Sequence, residues 1–270
     1  MSEFISYRDY WIFEREVRAR SRFVREPDVE RFLSTVALTA KKRVVGMEAG
    51  QILWRAQLGH DWQPLVENGE EIDKVPGPHS PSRMTPLKDR ASEGRANPKG
   101  IPYLYLSDKK ETAMGEMRPW MGAHISVAQF KMLKPLKIVD CTKGDGYRLY
   151  FEEPDAEKRE TAVWADIDRA FSRPVESDDT VADYVPTQIL AELFKSNGYD
   201  GLVFRSSLGY GHNITLFDLD VAELINCHLF EVRSVEYNFG QAGNSYFMGV
   251  HYDEKRKESS SDSSGQPINN

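Results

Sequence analysis

The spacing of apolar residues changes at Gln51, and that change limits what the chain can become. Upstream, the run PDVERFLSTVALTAKKR (27–43) sets Val29, Phe32, Leu33, Val36, Ala37 and Ala40 on one stripe of i, i+3, i+4, i+7 spacing. Such a stripe predicts an amphipathic helix. Asp28 is placed to cap its start, and Lys41, Lys42 and Arg43 complement the negative end of its dipole. Tyr10 to Phe23 predicts a weaker helix with a dense Arg and Glu face, which reads as a solvated surface. Residues 1–46 are therefore expected to be a helical N-terminal segment.

From Gln51 onward the apolar runs are short. Residues 51–55, 101–106, 126–130, 136–139, 201–207, 213–217 and 224–235 predict strands, and 109–118, 154–171 and 186–196 predict helices, the last stopped by Asn197-Gly198. This mixture implies an α+β domain over 47–250, with a small mixed or antiparallel sheet and flanking helices. Residues 61–100 are polar and proline-rich without periodicity, which points to a functional lid or an insertion. Residues 140–183 read as an acidic insert, either solvated or a docking face for a basic partner. The Ser-rich stretch 251–270 lacks the apolar residues to fold and is expected to be disordered.

Charge narrows the partners. Lys and Arg number 35 against 42 Asp and Glu, a net charge of −7, which argues against a general phosphate-backbone binder. The acidity is concentrated in 140–183, whereas 83–118 has a basic excess, so a site for one anionic small molecule remains open. Cys141 and Cys227 are too few for a disulfide framework and point to a reducing, cytoplasmic setting. No run approaches the roughly 20 apolar residues of a membrane span, and the charged amino terminus does not read as a signal peptide. Phosphate-loop, dinucleotide and nucleophile-elbow motifs are missing. The six histidines show no metal-ligand spacing relative to the cysteines, so no metal and no cofactor is expected. Arg205 and His212 have the spacing of some helical ribonucleases of the HEPN type, but RSSLGYGH carries two glycines and follows a strand, which favours a turn.

The stretch GRANPKGIPYLYLSDKKETAMGEMRP (94–119) is more informative. Arg95 and Asn97 lie in a Gly- and Pro-rich turn before a strand, where a fixed guanidinium could clamp a phosphate. Tyr105 shares a strand face with Tyr103, and Glu116 lies one helical turn past Thr112. An Arg, a Tyr and a Glu in one cleft would suit an anionic substrate with an aromatic ring and a sugar. The same residues also fit a surface turn, a packed aromatic and a solvated Glu.

That run resembles the signature of the RES family, named for its Arg, Glu and Ser. YVPTQILAELFKSNGYDGLVFRSSLGYGHNITLF resembles the family's distal block of helix, strand, serine, Gly-rich turn and closing strand, and Trp54-Arg55 matches its opening strand. The landmarks span about residues 50–235 in order. The resemblance implies a fold like that of ADP-ribosyltransferase toxins and an NAD+-consuming enzyme. It also implies a toxin paired with an Xre-type antitoxin. NAD+ is then the substrate, with water, inorganic phosphate or an acceptor protein receiving the ADP-ribose. Carried over, Arg55 and Arg95 are the arginines, Tyr105 the strand tyrosine, Glu116 the glutamate, and Ser206 or its neighbour Ser207 the serine. Arg55 or Arg95 would hold the pyrophosphate, Tyr105 would stack on a ring, and Glu116 would stabilise an oxocarbenium-like transition state. His212 and Asn213 are added as cleft-lining candidates. Two other readings stay open: a non-catalytic nucleotide- or partner-binding module, and an RNA-cleaving toxin.

Overall fold

The computed structural model describes residues 3–88, 90–144, 150–173, 181–241 and 243. Among these residues six helices are assigned: α1 (Asp9–Ala19), α2 (Pro27–Ala40), α3 (Pro81–Met84), α4 (Lys110–Glu116), α5 (Ala156–Ser172) and α6 (Val181–Ser196). The strands are β1 (Val44–Met47), β2 (Ile52–Leu58), β3 (Asp61–Glu67), β4 (Glu70–Gly77), β5 (Leu104–Ser107), β6 (His124–Met132), β7 (Leu136–Asp140), β8 (Gly201–Arg205), β9 (His212–Leu216) and β10 (Ala222–Glu231). Of the described residues, those up to Ser234 form one compact unit and those from Val235 a second. The expected domain end at 250 and the tail 251–270 lie outside the described residues.

The α+β class is as expected, but the sheet is large. Eight strands run in the order β1-β7-β8-β9-β5-β2-β6-β10. Only β7 and β8 pair in parallel, their connection running through α5 and α6, so the sheet is mixed. Strand alternation sorts side chains between its faces. Tyr103, Val139, Leu202 and Phe204 join a core built with α1, α2, α5 and α6, in which Phe13, Val17, Leu33, Trp164 and Phe194 are fully enclosed. Leu104, Leu106, Ile138, Ile214 and Leu216 point the other way and pack with Leu53, Phe130 and Met84. The helical N-terminal segment thus shares its core with the helices of the β7–β8 crossover. Helix α2 follows its sequence stripe, but Asp28 does not cap it: the helix starts on Pro27, the preceding Glu26 makes no side-chain capping bond, and Asp28 instead accepts from Arg31 at 2.6 Å.

Three sequence expectations are corrected. Residues 61–77 are a two-stranded hairpin rather than a structureless lid. Asn68 and Gly69 both have positive φ (53° and 89°), the mirror-image turn that an Asn-Gly pair favours between strands. The stretch read as an acidic insert contributes Val163, Trp164, Ile167 and Phe171 to the core, through a helix capped by Asp155, whose side chain accepts the Lys158 amide. β1, absent from the sequence reading, pairs with β7 at the edge of the sheet.

Candidate active site

Three neighbouring strands and one short helix build the site. In the order β9-β5-β2 they carry Asn213, Tyr105 and Arg55, while α4, seated on β2 and β6 through Ala113, Met114 and Met117, ends in Glu116. These residues, with Arg95 and Ser207, line a cleft of about 610 Å³. Arg118, Arg173, Trp54, Phe171 and Phe204 complete much of its wall.

Glu116 is held by one oxygen. Its Oε1 accepts the Ser206 hydroxyl at 2.7 Å and the Asn213 amide at 2.6 Å. Among the described residues Oε2 has no hydrogen-bond partner, so half of the carboxylate is left to the cleft. The Gly-rich turn that brings Ser206 here lies directly on α4. A side chain at Gly115 would come within 2.9 Å of the Leu208 carbonyl, and one at Gly211 within 2.5 Å of Asp108 and Thr112. The glycines of 209–211 therefore serve close approach of backbone to helix, and that approach sets Ser206 against the glutamate.

Arg55 is half-buried in the sheet, donating to the Tyr105 carbonyl at 3.1 Å, with its enclosed Nε unbonded. Among the described residues no carboxylate pairs with it. Burial lowers its pKa to about 10, still cationic at neutral pH. Holding a guanidinium partly out of water without a counter-ion is costly, and an anionic ligand would relieve that cost. Among the described residues that line the cleft Glu116 is the one carboxylate, in the company of Arg55, Arg95, Arg118 and Arg173. Four arginines thus meet at one cleft of a chain that is acidic as a whole.

Arg95 and Tyr105 also have structural work. Arg95 donates to the Ala170 carbonyl at 2.9 Å and lies 5.3 Å from the Tyr184 ring centre, which ties the 92–101 turn to α5 and α6. The Tyr105 hydroxyl donates to Asn97 at 2.7 Å and accepts the Ala96 amide at 2.9 Å. Burial pushes its pKa well up, so it stays protonated. Its ring lines the cleft, but its hydroxyl belongs to the turn. Asn97, buried, donates onward to the Ser92 and Ile101 carbonyls.

The eight sequence candidates therefore divide. Arg55, Arg95, Tyr105, Glu116, Ser207 and Asn213 line the cleft, and Ser206 reaches it through Glu116. His212 does not join them: its ring bonds Asp108 at 3.0 Å and lies outside the cleft lining. Nor does Arg205 converge with it on a phosphate site. Arg205 pairs with Asp168 at 2.8 Å and donates to the carbonyls of Thr142 and Gly144. Sequence reasoning missed Arg173, Phe171, Phe204 and the cleft roles of Trp54 and Arg118. Phe171 and Arg173 come from the stretch read as an insert, and only the fold brings them to the cleft. Arg118 did carry a signal, two residues past Glu116 and directly before a proline. Among the described residues no group of three His, Cys, Asp or Glu is placed to hold a metal ion, and both cysteines are free.

Fold and site together define an α+β protein with one carboxylate held in an arginine-lined cleft. A family model of the RES domain matches residues 71–239, well over half of the chain, and the chain belongs to the RES family. Among solved structures it is similar to a chain of the crystal structure of the M.tuberculosis MbcT–MbcA toxin–antitoxin complex. That similarity has 13% identity and a TM-score of 0.35, covering 73% of this chain and 92% of the other. No curated protein matches the sequence.

Proposed function

We propose that the protein cleaves the nicotinamide–ribose bond of NAD+ and acts as a toxin held in check by a paired antitoxin. The observation that carries this reading is the pairing of an oriented carboxylate, Glu116, with the half-buried guanidinium of Arg55, which has no carboxylate partner among the described residues, in one cleft. NAD+ combines a dianionic pyrophosphate with a ribose that gains positive charge as nicotinamide leaves. The arginines suit the first, and Oε2 of Glu116 suits the second by stabilising the oxocarbenium-like state. Nicotinamide leaves as a neutral base from a cationic precursor, so the reaction needs no strong general acid. Ser206 orients the carboxylate; among the described residues no histidine or lysine is bonded to it as a base would be, which argues against a covalent serine mechanism. Trp54, Phe171 and Phe204 give the cleft apolar surface for the rings. No helix among the described residues is long and apolar enough to cross a membrane, and a cytoplasmic setting would supply NAD+.

The test is to incubate the purified protein with NAD+, with and without inorganic phosphate, and follow nicotinamide by chromatography. Release is expected in the parent, with Glu116→Ala lowering it about 10²–10³-fold, the scale of a lost electrostatic contact to a transition state. Phosphate dependence separates phosphorolysis from hydrolysis, and label from NAD+ in an added protein marks transfer. Parent-level release by Glu116→Ala would sink the assignment of the glutamate. Nucleotide binding without turnover would favour a binding module.

A further inference from the structure

The serine that ends β5 stands at the back of the cleft and is joined by hydrogen bonds to the glutamate. Ser107 is buried, 3% exposed, and its hydroxyl donates to Oδ1 of Asn213 at 2.8 Å. The two residues stand directly opposite each other in the antiparallel β5–β9 ladder, so their side chains share a face. Asn213 in turn donates from Nδ2 to Oε1 of Glu116 at 2.6 Å. The direction of this relay follows from the chemistry of its ends. An ionised carboxylate only accepts, so Asn213 must present its amino group to Glu116. Its carbonyl then faces Ser107, which meets it with a hydroxyl proton. Turned the other way, the carboxamide would set its oxygen against the carboxylate.

We propose that Ser107 is a positioning residue for the reaction, locking the carboxamide of Asn213 in the one orientation that donates to Glu116. This rests on the NAD+-cleavage reading above and deepens it. It also moves Asn213 from a contact for substrate to a support for the glutamate. With the hydroxyl removed, Oδ1 of Asn213 is left unbonded in a half-buried position and the carboxamide is free to rotate. Glu116 then keeps only Ser206, and Oε2 loses its fixed direction.

Kinetics and side-chain NMR of Ser107→Ala test this. The expected result is a kcat for nicotinamide release about tenfold lower with KM within about twofold of the parent, as when an interaction used in the transition state is weakened. Added to Asn213→Ala, Ser107→Ala should cost nothing further, because the serine acts only through that asparagine. In labelled protein, the Asn213 side-chain amide signal should shift and broaden in Ser107→Ala. A parent-like kcat overturns the proposal, and so do losses that multiply in the double variant, as a plain packing defect would give. If the parent releases no nicotinamide, the reading of the function fails by itself. The amide signal still decides the role of Ser107, and an unchanged signal overturns it.

Discussion

Arg118 holds a backbone conformation that side chains avoid. With φ at 46°, it occupies the left-handed region one residue past the cap of α4, where glycine is the usual choice, and its amide bonds the Gly115 carbonyl at 2.9 Å. A following proline disfavours the α region for the residue before it as well. Left-handed backbone at a residue with a side chain costs of order 1–3 kcal/mol, less what glycine loses in chain entropy. Arg118→Gly should therefore raise the thermal unfolding midpoint, by about 0.5–1 kcal/mol of stability near the transition. A lower midpoint would show that the arginine side chain contributes more to stability than its backbone costs. Strain of this kind, two residues from Glu116 and on the cleft wall, is typical of positions kept for what they do.

At the scale of elements, the site depends on how closely the Gly-rich turn lies on α4. Gly115→Ala places a methyl group 2.9 Å from the Leu208 carbonyl, a backbone atom that must move. The turn should lift, take Ser206 from Glu116 and lower nicotinamide release, while circular dichroism keeps its parental helical signal. A variant with parental turnover would mean the turn can shift without moving Ser206. Much of this layer was legible in sequence. The helices and central strands follow their apolar periods, and Glu116, Arg55 and Ser206 sit where spaced motifs put them. The hairpin was missed because its apolar residues are exposed: Trp62, Leu65, Val66, Ile72 and Val75 are all open to solvent, so they leave no buried stripe. Only the Asn68-Gly69 pair announced it. The cleft role of Phe171 and Arg173 was not legible, since it arises from α5 crossing above strands distant in sequence.

For the whole molecule, the charge seen in composition acts through burial. Asp166 of α5 is 3% exposed beside Arg169, and burial lifts its pKa from 3.8 to about 6, with Arg169 opposing. Burial shifts Asp9, Glu14 and Asp168 in the same direction. A carboxyl whose folded pKa is raised binds its proton more tightly in the native state, so stability falls as pH rises through the interval between the two values. Denaturant unfolding of the parent should show this loss for Asp166 between about pH 4 and 6. In Asp166→Asn the loss across that interval should shrink, and an identical pH profile in both proteins would contradict the assignment.

The strand order has a consequence for how the chain is made. Arg55, Tyr105 and Asn213 are neighbours in the sheet, yet Asn213 enters on β9, after the crossover through α5 and α6 has been built. A chain growing from the ribosome has no second hydrogen-bond donor for Glu116, and no closing strand for its cleft, until residue 216 has emerged. Such long-range strand pairing forms late, because the loop must close before its contacts repay the entropy. If the finished protein consumes NAD+, a copy that stops short of β9 lacks both that donor and that strand, and the completed chain is the form an inhibitor has to meet.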